Sequence, residues 1–170
     1  MFDPDAIVAE LARNREVFSH LLRDKRPAAY TWRPAPEKWN LLEIVCHLYD
    51  EEREDFRARV QHALESRPTP PPPIDPVGWV TSRSYAAQNY EAKLADFLRE
   101  RTASIAWLQS LRSPRWDSAF QHPQLGRATA RMFLASWLAH DQLHVRQITR
   151  LEYERLKVES GEDLRYAGAW

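Results

Sequence analysis

The apolar residues of this chain recur at three- and four-residue steps, the spacing of amphipathic helices, and nowhere show the alternation of a strand. Asp3 and the proline after it have the residue types of a helix N-cap and first helical position, so a first helix is expected over about Pro4 to Arg23. Asn40 can cap the next helix together with the acidic residue three positions later. This pattern predicts a second helix from about Leu41 to Leu64.

Irregular stretches separate the remaining helices. The run RPTPPPPIDP, residues 67–76, is too rich in proline for a helix or a central strand and predicts an extended connector. Such a connector can run the length of a bundle, so the second and third helices need not be antiparallel neighbours. A third helix is expected over about Ser84 to Leu111 and a fourth over about Ala128 to Arg155, whereas the tail, residues 156–170, has no pattern that predicts a structure. Four helices in 170 residues predict one all-α domain, a four-helix bundle.

Composition argues against several classes of protein. The chain has 24 basic and 24 acidic residues, so no net charge attracts nucleic acid or an anionic membrane. No stretch approaches the roughly 18 consecutive apolar residues of a membrane span. The single cysteine, Cys46, cannot form an internal disulfide, and its place on the second helix predicts a small buried side chain. We therefore expect a soluble, cytoplasmic protein that binds neither nucleic acid nor membranes.

The stretch LAHDQLHVRQI, residues 138–148, places His140 and His144 four positions apart in the fourth helix. At about 100° per residue the two side chains lie roughly 40° apart, on the same arc as Trp137 and Ile148, so both imidazoles are expected to face the bundle interior. Two histidines with this spacing can converge on one cation, as in the zinc-binding HExxH helix. Two ligands are too few for a tight site, so a third has to come from another helix.

Four other histidines could supply the third ligand: His20, His47, His62 and His122. Among them His47 lies at the margin of the apolar side of the second helix and can lean into the core. With His140 and His144 it forms the best trio, and three neutral imidazoles would leave a divalent ion with free positions, the pattern of a catalytic site. The alternative from spacing alone is that these histidines are hydrogen-bonded and bind no metal.

Three segments, WRPAPEKWNLLEIVCHL, HPQLG and WLAHDQLHVRQI, together resemble the DinB/YfiT-like family of metal-dependent bacterial enzymes, which is distinct from the DNA polymerase called DinB. The resemblance covers roughly residues 5 to 155. It implies a four-helix bundle, often in up-down-down-up order, and a divalent metal, usually nickel or zinc. Carried over by position, the metal ligands implied by the family are His47, His140 and His144.

The resemblance also implies two kinds of reaction on a small-molecule substrate. Some relatives are thiol S-transferases, in which the metal would bind the sulfur of a low-molecular-weight thiol such as bacillithiol or mycothiol as a thiolate. Others are described only as hydrolases, in which water would be the nucleophile. No pattern in the sequence identifies a thiol-binding pocket, so the reaction stays open at this point.

Several further residues are candidates for supporting roles. Glu51 lies one turn after the histidine of the second helix and could accept a hydrogen bond from a ligand or act as a base. Asp141 points about 100° away from its neighbouring histidine, so it is expected to orient another group rather than bind the ion. Gln147, one turn beyond the last histidine, could bond an imidazole or the substrate. Trp137 is expected in the core, and His122 is expected to hold its loop.

Two other functions fit parts of the sequence. A zincin-like peptidase would use HDQLH as a variant of HExxH, with Glu162 as a distant third ligand. A non-catalytic helical interaction module, in which a metal only stabilises the fold, would suit the seven tryptophans and the proline-rich connector. Such a module could form a homodimer.

Overall fold

The computed structural model describes residues 2–67 and 69–168. Pro68 of the predicted connector and residues 169–170 of the predicted tail lie outside the described residues. The elements in chain order are α1 (Pro4–Leu22), α2 (Pro27–Tyr30), α3 (Leu41–Glu51), a π turn (Glu52–Phe56), α4 (Arg57–Leu64), α5 (Pro76–Ser82), α6 (Tyr90–Ser110), β1 (Ala119–His122), β2 (Gly126–Thr129) and α7 (Ala130–Ser160). Short 3-10 turns follow α5 and α7, at Tyr85–Ala87 and Leu164–Ala167.

The predicted starts of the first two long helices are confirmed by their caps. The Asp3 carboxylate accepts a hydrogen bond from the backbone N–H of Ala6, 3.0 Å away. Asn40 accepts from the backbone N–H of Glu43 at 2.9 Å, while the Glu43 carboxylate accepts from the backbone N–H of Asn40, also at 2.9 Å. This reciprocal pair satisfies two N–H groups that a helix start otherwise leaves unpaired. It sets the position of α3, the helix that carries His47.

Other helix boundaries differ from the prediction. The third long helix begins at Tyr90 rather than Ser84, because the Asn89 side chain caps it and Ser84 has a left-handed backbone with φ of 49°. The fourth starts at Ala130 and runs on to Ser160, where Gly161, with φ of 66°, ends it. The second long helix is not a single α-helix either, since the π turn interrupts it between α3 and α4.

The expectation of no strands was wrong. Strands β1 and β2 form an antiparallel hairpin in which Ala119 pairs with Thr129 and His122 with Gly126. Each strand has only four residues, too few for alternation to stand out from the surrounding loop. Gly126 has φ of 70°, a conformation that glycine adopts without strain, and this allows the tight connection.

Four long helical segments form the bundle, with α3, the π turn and α4 together acting as one of them. Helix α1 packs against α6 and α7, α3 packs against α6, and α4 packs against α7. The second and third segments are therefore direct neighbours despite the long connector between them. Within residues 2–67 and 69–168, no helix has both the length and the apolar character needed to cross a membrane.

The core consists of two apolar clusters, one towards each end of the bundle. The first cluster includes Phe18, Leu22, Ile44, Leu48, Phe97 and Ile148. The second includes Leu11, Phe56, Val60, Leu108, Phe133 and Trp137. Along each long segment, polar side chains that are buried or half-buried lie between the two clusters. We call them the polar layer: Asn14, Glu52, Arg101, Asp141 and the histidines of α7.

Arg101 lies at the centre of the polar layer and is only 1% exposed. Its two Nη atoms each donate to an oxygen of Asp141 at 2.7 Å, and its Nε donates to Glu52 Oε2 at 2.9 Å. Asn14 donates to Asp141 at 3.1 Å, and Trp137 Nε1 donates to Glu52 at 3.0 Å. The layer therefore ties α1, the π turn, α6 and α7 together.

The charges of the polar layer depend on one another. Burial alone would lower the pKa of Arg101, but Glu52 and Asp141 outweigh it and raise that pKa above its usual value. Burial raises the pKa of Glu52, although Arg101 opposes the shift. A guanidinium in this position compensates carboxylates that could not otherwise be buried.

Replacement of Arg101 by alanine is expected to destabilise the fold by about 3–5 kcal/mol, because it leaves two buried carboxylates without their cation. Chemical denaturation followed by circular dichroism measures the loss. Arg99→Ala on the same helix is the matched control, since Arg99 is exposed and, within the described part of the chain, forms an ion pair only with its helical neighbour Asp96. Equal losses for the two variants would contradict a structural role for the polar layer.

Candidate metal centre

The three histidines singled out by the sequence meet at one point, although they come from distant parts of the chain. His47 projects from α3, and His140 and His144 project from α7. The Nε2 atom of His140 lies 3.2 Å from Nε2 of His47 and 3.0 Å from Nε2 of His144. Among the described residues, this trio is the one group of histidine, cysteine or acidic side chains whose potential ligand atoms all lie within 4.8 Å of one another.

The spacing of the nitrogen atoms fits a shared metal ion. Two imidazole nitrogens bound to one zinc ion at about 2.0–2.1 Å stand about 2.8 to 3.4 Å apart for ligand angles between 90° and the tetrahedral value. Both Nε2 separations, 3.2 Å and 3.0 Å, lie in this interval. Hydrogen bonds between neutral rings could explain one such contact, but one N–H on His140 Nε2 cannot serve both neighbours well.

Burial keeps the three rings in the neutral form that metal ligation requires. Burial and the neighbouring His144 lower the pKa of His47 to about 3. Burial, the two other histidines and Arg101 lower the pKa of His140 to about 2, and burial also lowers the pKa of His144. The centre thus presents nitrogen lone pairs near neutral pH rather than protons.

The Nδ1 atoms of His47 and His144 are buried and lack a hydrogen-bond partner among the described residues. These nitrogens lie on the opposite side of each ring from the converging Nε2 atoms, so they would not bind the ion. In metal-bound histidines this second nitrogen usually donates to a carboxylate, a carbonyl or a water.

Aromatic rings and an open cavity complete the surroundings. The centroid of the Trp39 indole lies 4.9 Å from that of His47, and the centroid of Phe56, from the π turn, lies 4.8 Å from that of His140. On the remaining side a cavity of about 400 Å³ opens to the surface. Its lining includes His47, His144 and Gln147. A small molecule can therefore reach the imidazoles of His47 and His144 from this side.

Asp141 and Trp137 support the fold and do not face the three imidazoles. Asp141 follows His140 but turns away from the imidazoles, fully buried, to accept hydrogen bonds from Arg101 and Asn14. Trp137 is fully buried in the second apolar cluster, as expected. Both residues lie within one turn of His140, so the polar layer supports the backbone that carries this ligand.

Glu51 and Cys46 flank His47 on α3, and both are buried. One carboxylate oxygen of Glu51 has no hydrogen-bond partner among the described residues. Burial, reinforced by Asp55, raises the pKa of Glu51 to about 8, so this carboxyl keeps its proton at neutral pH. Burial likewise raises the pKa of the Cys46 thiol to about 12, which makes it an inert side chain.

Other candidates lie away from the centre. The Glu162 of the peptidase hypothesis comes after the end of α7, and the 16 residues from His144 to Ser160 span about 24 Å of helix. Glu162 is also exposed, so a ligand role for it was wrong. His122 accepts hydrogen bonds from the backbone N–H groups of Gln124 and Leu125 at 3.2 Å and 3.3 Å, which confirms its expected role in the loop.

The sequence interpretation missed Arg101, Glu52 and Trp39. A signal for the first two was present, since Arg101 occurs four residues after Phe97 and Glu52 four residues after Leu48, within otherwise apolar stripes. A lone charge on an apolar face indicates a buried ion pair or a functional site. Trp39 precedes the helix cap, and no spacing rule predicts its contact with His47.

Comparison with known proteins identifies the family of this chain. A family model described as the DinB superfamily matches residues 10–148. The chain belongs to the DinB superfamily. The match spans the bundle from α1 to the part of α7 that carries both histidines.

A solved structure supports the fold of this DinB-superfamily chain. The chain is similar to YfiT from Bacillus subtilis, with a TM-score of 0.77 and 17% sequence identity over 94% of this chain and 89% of that one. YfiT is described as "a probable metal-dependent hydrolase with an unusual four-helix bundle topology". At this identity the likeness shows a shared four-helix-bundle fold. A search of curated proteins finds no match to the chain.

Glu51→Gln is expected to change how the stability of this DinB-superfamily chain depends on pH. The pKa of Glu51 is 4.5 when unperturbed and about 8 in the fold, so between these values the unfolded chain is ionised while the folded chain keeps its proton. Stability is therefore lost as the pH rises through this window. A glutamine mimics the protonated acid and removes the loss.

Urea denaturation at a series of pH values measures this effect. The free energy of unfolding of Glu51→Gln, relative to wild type, should rise by about 1 kcal/mol per pH unit from pH 5 to 8 and stay constant above. Glu37→Gln, at an exposed position, is the control for the loss of one carboxylate. A flat difference for Glu51→Gln would mean that the carboxyl ionises normally.

Proposed function

We propose that this protein is a divalent-metal-dependent enzyme that acts on a small molecule, with His47, His140 and His144 as its metal ligands. The observation that carries the proposal is the convergence of three neutral imidazoles, with Nε2 separations of 3.2 Å and 3.0 Å, beside a cavity of about 400 Å³. Structural zinc sites usually have four protein ligands, whereas catalytic sites have three and an open position. Three ligands beside a cavity favour the catalytic type.

The donor set favours nickel or zinc over magnesium or calcium. Imidazole nitrogen suits zinc, nickel, copper and iron, whereas magnesium and calcium prefer oxygen ligands. Within the described residues, no acidic side chain shares the centre with the three histidines. We therefore propose zinc or nickel as the ion in this site.

When bound, a divalent cation would act as a Lewis acid on a substrate oxygen or sulfur and lower the pKa of the group that ligates it. The chain's own residues would orient the reactants. The rings of Trp39 and Phe56 pack beside the imidazoles and exclude water from two sides. Gln147, at the mouth, can donate to or accept from a substrate. Glu51, one turn after His47, keeps its proton at neutral pH and is our candidate for a proton donor.

Two reactions are compatible with this centre. In a hydrolysis, a water oxygen forms the new bond to the substrate, and the leaving group departs with its electron pair and takes up a proton. YfiT, the structural relative, is described as a probable hydrolase. Hydrolysis is therefore our first proposal.

In a thiol S-transfer, a thiol sulfur forms the new bond to an electrophilic carbon, the thiol proton goes to solvent, and the leaving group departs. Cys46 is the chain's only cysteine, and its raised pKa excludes it as the sulfur nucleophile. A low-molecular-weight thiol would have to enter as a second substrate. The nitrogen-only ligand set supports this alternative, because zinc and nickel bind thiolates well.

Metal analysis tests the proposed ligands. After loading with nickel or zinc and removal of free ions, the wild type should hold about one ion per chain, and His140→Ala should lose most of it. His20→Ala is the control, since His20 lies on α1 and its ring contacts the Glu16 carbonyl. At 100 times the dissociation constant, metal should stabilise the wild type by about 2.7 kcal/mol in thermal unfolding and leave His140→Ala unchanged. Equal metal contents in wild type and His140→Ala would reject these ligands.

Turnover separates an enzyme from a helical interaction module with a structural metal. We expect the loaded protein to hydrolyse small esters or amides, or to couple small thiols to electrophiles, and His47→Ala to abolish that activity. Circular dichroism of the variant shows whether the fold survives. A loaded, folded protein that is inactive in both panels would favour the module.

A further inference from the structure

The cavity beside the imidazoles continues into a groove along the outer face of α7. A second cavity of about 560 Å³ shares Lys38, Trp39 and Gln147 with the first and extends to Arg150 and Leu151. A third cavity, on the solvent-exposed side of α7, shares Gln147 and Arg150 with the second cavity and is also lined by Arg146. We refer to these connected spaces as the α7 groove. It leads away from the metal centre towards the C-terminal half of the helix.

Three cations border the α7 groove without a partner. Lys38, Arg146 and Arg150 are exposed, and none forms an ion pair with another residue of the ranges 2–67 and 69–168. Arg155, one turn beyond Arg150, differs because it pairs with both Glu152 and Glu159. The cations at the groove are thus free to bind a ligand.

Acidic residues cancel only part of this charge. Glu37 and Glu154 also line the groove, so the three cations leave it with an excess of one positive charge. The neutral histidines bring no negative charge, and Asp141, the acidic residue next to His140, is paired with Arg101. A divalent ion at the centre would add its full charge to the same side.

The groove also offers apolar surface between its two ends. Trp39 lines both of the first two cavities, and Leu151, Pro34 and Ala35 line the second. His144 and Arg150 are six residues apart on α7, which corresponds to about 9 Å along the helix. An extended six-carbon diacid spans roughly this distance between its outermost oxygen atoms.

We propose that the substrate of this centre carries an anionic group at the end remote from the reacting atom, held by Lys38, Arg146 and Arg150. This inference rests on the proposed function, because it places the reacting atom at the three histidines. The middle of the substrate packs against Trp39. Carboxylate and phosphate share the chemistry that these cations bind.

The test uses two six-carbon acids, adipate and hexanoate, which have the same chain and differ by one carboxylate. Each can present one carboxylate to the metal, and only adipate has a second for the cations. Isothermal titration of the metal-loaded protein at low ionic strength should give adipate roughly tenfold tighter binding, since three exposed ion pairs each contribute a factor of about two. The advantage should shrink as salt is added. A third probe, 6-phosphonohexanoate, tells whether a phosphate-like dianion binds better than a carboxylate.

Substitution of the three cations by glutamine, as Lys38→Gln, Arg146→Gln and Arg150→Gln together, should reduce the ratio of the two affinities to about the statistical factor of two. Arg112→Gln, at an exposed position beyond the end of α6, should leave the ratio unchanged. The metal content of each sample is measured alongside. If the protein holds no metal, the proposed function and this inference are both rejected. A metal-loaded protein that binds adipate and hexanoate equally, or whose preference survives the triple substitution, overturns this inference alone.

Discussion

Arg101 imposes the constraint on which the middle of the bundle depends. Its guanidinium is buried between Glu52 and Asp141, and each contact comes from a different helical segment. A buried ion pair contributes little net stability, but it is costly to break, so it disfavours any packing in which the segments slide past one another. The layer therefore fixes the relative positions of the π turn and α7. It thereby also fixes the positions of Phe56 and His140, which these two elements carry.

The same layer contributes to the electrostatics of the candidate metal centre. The positive charge of Arg101 is one of the causes that keep His140 neutral, and Asp141 is unavailable as a ligand because Arg101 and Asn14 occupy its oxygens. The π turn contributes as well, since it places Glu52 towards Arg101 and Phe56 against His140. Single π turns within α-helices often mark functional sites, and this one joins the structural layer to the proposed chemistry. Neutral imidazoles beside the α7 groove, which has an excess of positive charge, are suited to the binding of anionic small molecules.

Much of this arrangement could be predicted from the sequence, because local rules govern it. The caps at Asp3 and Asn40 and the four-residue spacing of His140 and His144 depend on neighbours within one or two helical turns. His47 could be chosen because it lies at the edge of an apolar stripe. The π turn, the hairpin at residues 119–129 and the contacts of Arg101 depend on packing between distant segments, which no local spacing encodes. The up-down-down-up order of the helices stays a prediction.

Anomalous X-ray diffraction from crystals loaded with nickel or zinc tests the central claim most directly. The account predicts one strong peak at the metal's absorption edge, within about 2.0–2.2 Å of Nε2 of His47, His140 and His144, with the remaining coordination positions open towards Gln147. A fully loaded crystal with no peak between these rings, or with the ion held by other residues, would contradict it.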